Sequence, residues 1–198
     1  QIRQLCHDCQ AYAHSCGLPP LFIAIDQEGG EVARLEPPFT RFPGNPSMEG
    51  IRDAVHFAEI TARELSATGI HWTFSPTLAV ARNIRWGRTF ESLSEDIELQ
   101  AAFATPLIEG YQGDDLSAIG TIAATAKHFA GYGASESGRD YSTTNIPENE
   151  LRNVYLQPFK AAADAGVGPG LPLNAALALC PWLEVVDRDE AAEASALE

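Results

Sequence analysis

The chain alternates two hydrophobic periods, and that alternation constrains its fold more than any other feature. Strand-like apolar runs at Leu21 to Ile25, His71 to Ser75 and Ile122 to His128 are separated by single stretches of helical spacing. Those stretches run from about Ile2 to Cys16, Arg52 to Ala67, Glu98 to Gly110 and Pro147 to Ala165. One helix between successive strands favours a parallel sheet, since a parallel crossover needs a dozen or more residues. The loops after the strands are much longer than those before them. Loops of roughly 20 residues are uncommon in compact domains and commonly carry function. Pro147-Glu148-Asn149-Glu150 reads as a helix start, with proline in the first turn and carboxylates near the positive end of the dipole.

Open doubly wound sheets and (β/α)8 barrels both place their sites at the C-terminal ends of the strands. Gly29-Gly30 is not a GxGxxG fingerprint and no GxxxxGK[ST] occurs, which argues against nucleotide binding. The expected fold is therefore α/β, an incomplete (β/α)8 TIM barrel with three to four βα units, against the eight units and about 250 residues of a full barrel. Residues 1–166 read as the partial barrel domain. Residues 167–198 read as a divergent tail: Val167-Gly168-Pro169-Gly170-Leu171-Pro172 is rich in breakers, and the stretch from Glu184 is acidic and alanine-rich, suiting a weak helix or disorder. Open sheet edges in a partial barrel predict self-association.

With 45% hydrophobic residues in 198, the chain can bury a real core. A net charge of −14 repels phosphates, so neither nucleic acid nor an anionic membrane is expected as a partner, and a neutral polar small molecule fits better. No apolar run approaches the ~18 residues of a membrane span. Gln1-Ile2-Arg3-Gln4 lacks the basic start and apolar core of a signal peptide, and reads as a processed or truncated start. A soluble protein is expected, with secreted, periplasmic and cytoplasmic locations all open. Cys6-His7-Asp8-Cys9 with His14 and Cys16 superficially resembles a zinc knuckle, but no second CxxC completes a closed site. Ile2, Leu5, Cys6, Cys9, Ala13 and Cys16 follow helical spacing, so a buried stripe with thiols as small hydrophobes is expected, and no metal.

Polar residues gather at three strand ends. Asp26-Gln27-Glu28-Gly29-Gly30 follows the first strand, Arg85-Trp86-Gly87-Arg88-Thr89-Phe90-Glu91-Ser92 follows the second, and Lys127-His128 closes the third. Alternation would turn Lys127 and His128 to opposite faces unless the strand ends between them; a bend there lets both reach one pocket.

These three loops, with Glu95-Asp96 and Gly138-Arg139-Asp140, resemble glycoside hydrolase family 3 in order and spacing over roughly residues 20 to 166. The likeness is to the β-glucosidase/β-xylosidase branch, although Asp-Gln-Glu-Gly-Gly also looks like the β-N-acetylhexosaminidase branch. The latter's Asp-Ser-His segment is replaced here by Ser135-Glu136-Ser137-Gly138-Arg139-Asp140-Tyr141. The resemblance implies a retaining exo-β-glycosidase, a hydrolase of O-glycosyl bonds with a small carbohydrate substrate and no cofactor. It also implies that Asp26, Arg88, Lys127 and His128 line the subsite for the terminal sugar. A carboxylate accepting two hydroxyls, with lysine, arginine and neutral histidine donating, suits vicinal diols. Each residue also has a structural reading: Asp26 as a turn or helix cap, Arg88 paired with Glu91 or Glu95, His128 as a satisfied core histidine. Trp86 reads as a stacking platform or as core, and Arg139 with Asp140 as a pair within their loop.

Retaining hydrolysis needs two carboxyl groups about 5 to 5.5 Å apart. The family's nucleophile, an aspartate in a Ser-Asp-Trp-like motif, has no match after Gly166, and its glucosidase acid/base comes from a second domain. Asp187, ending Val185-Val186-Asp187, is a weak candidate for the nucleophile. The fragment is therefore expected to be inactive by itself. Two other readings are a non-catalytic sugar-binding remnant and a Schiff-base lyase using Lys127.

Overall fold

The structure is a computed structural model that describes residues 1–167. Helix α1 (Ile2–Ser15) precedes β1 (Ala24–Ile25), which runs into a hairpin of β2 (Gln27–Gly29) and β3 (Val32–Ala33). Helix α2 (Ile51–Thr68), β4 (Trp72–Thr73), α3 (Ile97–Gln112), α4 (Glu148–Glu150) and α5 (Gln157–Asp164) follow.

The three expected strands are parallel and lie side by side in chain order. Ala24 pairs with Trp72 and Ile25 with Thr73. On the other side of β4, residues 122–127 pair in parallel through Trp72 with Ala123 and Thr77 with Lys127. The ladder is short and its hydrogen bonds are well formed: His71 N–H donates to Ile23 C=O at 2.9 Å, Thr73 N–H to Ala123 C=O at 2.9 Å, and Lys127 N–H to Pro76 C=O at 3.1 Å. The outer edge of the third strand is partly covered, because Ile122 N–H donates to Tyr111 C=O at 2.9 Å and Ala124 N–H to the Gln112 side-chain carbonyl at 3.2 Å.

Strand alternation sets the core. Ile23, Ile25, Ile122 and Ala124 face a helical layer containing Phe57, Ala58, Ala62 and Leu65 of α2, Phe103, Leu107, Ile108 and Tyr111 of α3, and Phe159 and Ala162 of α5. Each fully buried Leu or Ile contributes roughly 1.5–3 kcal/mol. Helices α2 and α3 approach closely at Gly110, where a Cβ would stand 2.7 Å from that of Ala58. Helix α2 ends at Gly69 in the left-handed region, φ 86°, and α3 begins at Asp96, whose carboxylate accepts the Leu99 N–H at 2.8 Å. The other sheet face carries Phe22, Trp72 and Phe74, with Phe22 tilted against Trp72 at 5.5 Å and Trp72 edge-on to Phe74 at 5.1 Å. Apolar residues on both faces mark a parallel sheet of the kind that lines a barrel.

Three expectations are corrected. The helix expected from Pro147 to Ala165 is broken: α4 passes into a π-helical turn, Leu151–Tyr155, in which Leu156 N–H donates to Leu151 C=O, before α5 begins. Pro158 has no N–H for an i−4 bond and its ring crowds that carbonyl, so the chain widens a turn ahead of it. The α1 stripe is narrower than its spacing predicts, with Cys6 and Ala13 buried, Cys9 half-buried, and Leu5 and Cys16 exposed. Asp26 to Gly30 is not a plain loop, since Gln27 and Gly29 pair with Ala33 and Val32.

Among the described residues no helix is long and apolar enough to cross a membrane, and no cluster of His, Cys, Asp and Glu is arranged to hold a metal. Asp187 and nearly all of the segment expected as a divergent tail lie outside the described residues.

Candidate active site

The three strands deliver their polar ends to one cavity of about 590 Å³, lined by Asp26, Glu28, Arg88, Glu91, Lys127, His128 and Tyr132 among others. All four residues singled out from the sequence are there. The Lys127–His128 peptide is cis, and both side chains line this cavity.

Asp26 follows β1 directly. Beyond it the hairpin is locked by Gln27, whose buried side-chain carbonyl accepts the N–H groups of Arg34 at 2.8 Å and Leu35 at 3.1 Å. Gly29 and Gly30 have φ of 83° and 57°, and a Cβ on Gly30 would lie 2.7 Å from Gly44 Cα, so the turn requires glycine. The loop after β4 is fastened to itself and to α3. Ser92 Oγ donates to Ala79 C=O at 2.8 Å, and the Gln100 amide donates to Thr77 C=O at 3.2 Å.

Lys127 Nζ donates to Asp26 Oδ1 at 2.7 Å and also contacts Glu28. The Glu28 side chain is only 3% exposed and accepts from Thr77 Oγ1 at 2.9 Å. Burial pushes its carboxyl above the usual carboxylate range, and Lys127 and Thr77 offset part of that rise. Arg88 forms a two-pronged pair with Glu91, Nε to Oε1 at 2.9 Å and Nη2 to Oε2 at 2.6 Å, while Nη1 donates to the Tyr132 hydroxyl at 2.8 Å. The Glu91 bond holds the guanidinium firmly charged. Arg88 is thus stapled to Glu91 and also lines the cavity.

Half-buried His128 packs its ring edge-on to Tyr132, with centroids 5.1 Å apart. Burial, reinforced by the positive charges of Lys127 and Arg88, holds it down at about 4, so it is neutral at pH 7 and supplies one donor and one acceptor nitrogen. Its Nδ1 is buried with no partner among the described residues.

Trp86 is 1% exposed and packs edge-on to Tyr132 at 5.1 Å, which makes it core rather than a surface platform. Asp140 does not pair with Arg139 in the manner expected: it accepts the Tyr132 hydroxyl and, at 3.2 Å, the Tyr141 N–H. Sequence reasoning also passed over Glu28, Glu91 and Tyr132 as site residues. Glu28 sits two residues past Asp26, where strand alternation returns a side chain to the same face, and that spacing was the available signal.

The chain spans about a fifth of the length of some relatives and about half of others. It is 31% identical over 149 residues to the periplasmic beta-glucosidase of Salmonella typhimurium, covering 75% of this chain and 19% of that protein. It is 34% identical over 177 residues to a beta-hexosaminidase of Pseudomonas aeruginosa, covering 82% of this chain and 48% of that protein. The exo-1,3/1,4-beta-glucanase of Pseudoalteromonas superposes with a TM-score of 0.76 at 34% identity, over 84% of this chain and 22% of that one. That likeness confirms a TIM-barrel type of α/β fold for the parallel units described above. Residues 1–171 match the glycosyl hydrolase family 3 N-terminal domain, and with three loop motifs meeting in one cavity, the chain belongs to that family.

Proposed function

We propose that the cavity holds the terminal sugar of a β-glucoside or β-xyloside for retaining cleavage of the O-glycosyl bond. The observation that carries this is the convergence of Asp26, Arg88, Lys127 and His128, from three separate strand ends, on one cavity. Asp26 accepts from sugar hydroxyls, while Lys127, Arg88 and neutral His128 donate to sugar oxygens. Contacts to the 2-hydroxyl that tighten as the ring gains oxocarbenium character stabilise the transition state by several kcal/mol, roughly. Lys127 Nζ is engaged as a donor to Asp26 and Glu28, an arrangement suited to holding a hydroxyl and unsuited to the free amine lone pair that a Schiff base needs.

Titration of the chain with methyl β-glucoside, followed by saturation-transfer NMR, tests the site. Binding is expected, with Asp26→Ala and Lys127→Ala each weakening it at least about tenfold, the size of one lost interaction near 1.4 kcal/mol. Absence of binding overturns the reading. Aryl β-glucosides should not be turned over by residues 1–198 alone, because no glycosyl-enzyme intermediate forms without a nucleophile. Turnover abolished by Asp187→Asn would instead assign that role to Asp187.

A second reading, a β-N-acetylhexosaminidase, is favoured by the 34% identity to the Pseudomonas aeruginosa protein. Competition between N-acetylglucosamine and glucose glycosides for the cavity separates the two.

A further inference from the structure

Helix α3 buries a glutamine where its own spacing asks for an apolar side chain. Gln100 is 0% exposed and opens the buried stripe continued by Phe103, Ala104, Leu107, Ile108 and Tyr111. A buried amide costs free energy unless its donor and its acceptor both find partners. Here both do. The Gln100 side-chain carbonyl accepts the Ser94 N–H at 2.7 Å, and its amide nitrogen donates to Thr77 C=O at 3.2 Å. Both partners are backbone groups of fixed polarity, so they set which way the amide lies; a carboxylate offers no donor there, and an apolar side chain offers neither.

The two partners belong to opposite halves of the cavity wall. Ser94 follows the 3₁₀ turn Thr89–Glu91, whose Glu91 is bonded to Arg88. Between them Ser92, whose hydroxyl lies 3.5 Å from the Gln100 carbonyl, donates to Ala79 C=O. Thr77 belongs to the other half, because its hydroxyl donates to Glu28 at 2.9 Å and its backbone pairs in parallel with Lys127. One amide thus ties the Arg88–Glu91 pair to the strand that carries Thr77 beside Lys127 and Glu28. Gln100 does not itself line the cavity.

We propose, on the reading that the cavity binds the terminal sugar, that Gln100 is a positioning residue that sets the Arg88 guanidinium against the Lys127 ammonium so that both reach one sugar ring. Groups that grip a small ligand must be held to within about 0.5 Å, which requires the shell behind them to be locked by hydrogen bonds. Gln100 supplies that lock from the helix side, without touching the ligand.

Methyl β-glucoside, titrated by saturation-transfer NMR into the 198-residue chain and its variants, tests this. Gln100→Met keeps the volume and loses both hydrogen bonds, and should bind about tenfold more weakly at every pH. Gln100→Glu keeps the acceptor; as a carboxylate it cannot donate to Thr77 C=O, whereas as the neutral acid it can. Burial raises such a carboxyl, so this variant should bind about tenfold more weakly at pH 8 and recover most of that loss at pH 5. Glu28, beyond Thr77, and His128 in the cavity also titrate, so each affinity is taken relative to the unaltered chain at the same pH. Phe103→Leu, one turn further along the same buried face, lowers stability through packing alone and should leave the affinity unchanged. Far-UV circular dichroism and urea unfolding report the folded fraction of each variant. Unchanged affinity in both Gln100 variants overturns the positioning role and leaves the sugar site standing, as does a loss in Gln100→Glu that acid does not reverse or an equal loss in Phe103→Leu. Gln100 variants unfolded at every pH make the amide a folding element only and overturn the role likewise. Failure of the unaltered chain to bind overturns the sugar site and the positioning role together.

Discussion

Lys127 Nζ and Asp26 Oδ1 stand 2.7 Å apart across 101 residues of sequence, and the same ammonium touches the buried carboxylate of Glu28. One cation thus serves two carboxylates of unlike exposure. Asp26 is open to the cavity, its side chain 37% exposed, while Glu28 has almost no water to fall back on. The asymmetry decides what each substitution does.

Lys127→Met should destabilise the chain by about 3 kcal/mol, because it leaves a buried carboxylate without its cation. Glu28→Gln added to that variant should restore most of the loss. Burial already pushes the Glu28 carboxyl up, so the deficit should be largest at high pH and shrink as acid neutralises the group. Urea unfolding across pH is the measurement, and a deficit unchanged from pH 8 to pH 5 would count against a buried charge at Glu28.

Arg88→Lys should cut affinity for methyl β-glucoside at least about tenfold while costing about 1 kcal/mol or less of stability. Lysine cannot reproduce the two-pronged bond to Glu91 together with the Tyr132 contact, so the cation would no longer be aimed into the cavity. Titration beside thermal unfolding separates the two effects.

His128 gives the fold an acid-sensitive element. Its folded value of about 4 lies below its ordinary 6.5, so between those limits the unfolded chain binds more protons than the folded one. The resulting stability is fully present above about 6.5 and is lost as pH falls towards 4. His128→Gln should therefore lose less stability than the unaltered chain between pH 7 and pH 4.5, as read from urea midpoints.

Two glycines should respond differently to alanine. A Cβ at Gly133 would lie 2.1 Å from the backbone carbonyl oxygen of Val80, so Gly133→Ala must displace the turn that carries Tyr132, at a cost of about 2 kcal/mol or more. Gly87 has φ 81° and open space around it, so Gly87→Ala should cost only the left-handed conformation, about 1–2 kcal/mol. Thermal unfolding of both variants checks the order.

The parallel order of the strands and the meeting of Asp26, Arg88, Lys127 and His128 were legible because they depend on local period and on the rule that βα units open their sites at one end. What escaped depends on contacts between segments. Glu91 was legible only as a staple for Arg88, since its lining of the cavity follows from the fold of a long loop. Tyr132 and Asp140 lie in a stretch of short 3₁₀ turns with no period to read. Trp86 had two equally good readings until burial against Tyr132 chose between them. The break ahead of α5 was signalled by Pro158, which the helical spacing around it outweighed.

Each strand of the sheet pairs with a neighbour about fifty residues away, a separation that brings slow closure and high contact order. Helices α2 and α3 have local hydrogen bonds to form early, whereas Asp26 and Lys127 meet only after both crossovers are in place. The cavity is therefore a product of completed folding rather than a nucleus for it. Ligand binding, followed during refolding, would lag behind the recovery of helical dichroism and serve as a clock for the arrival of the third strand.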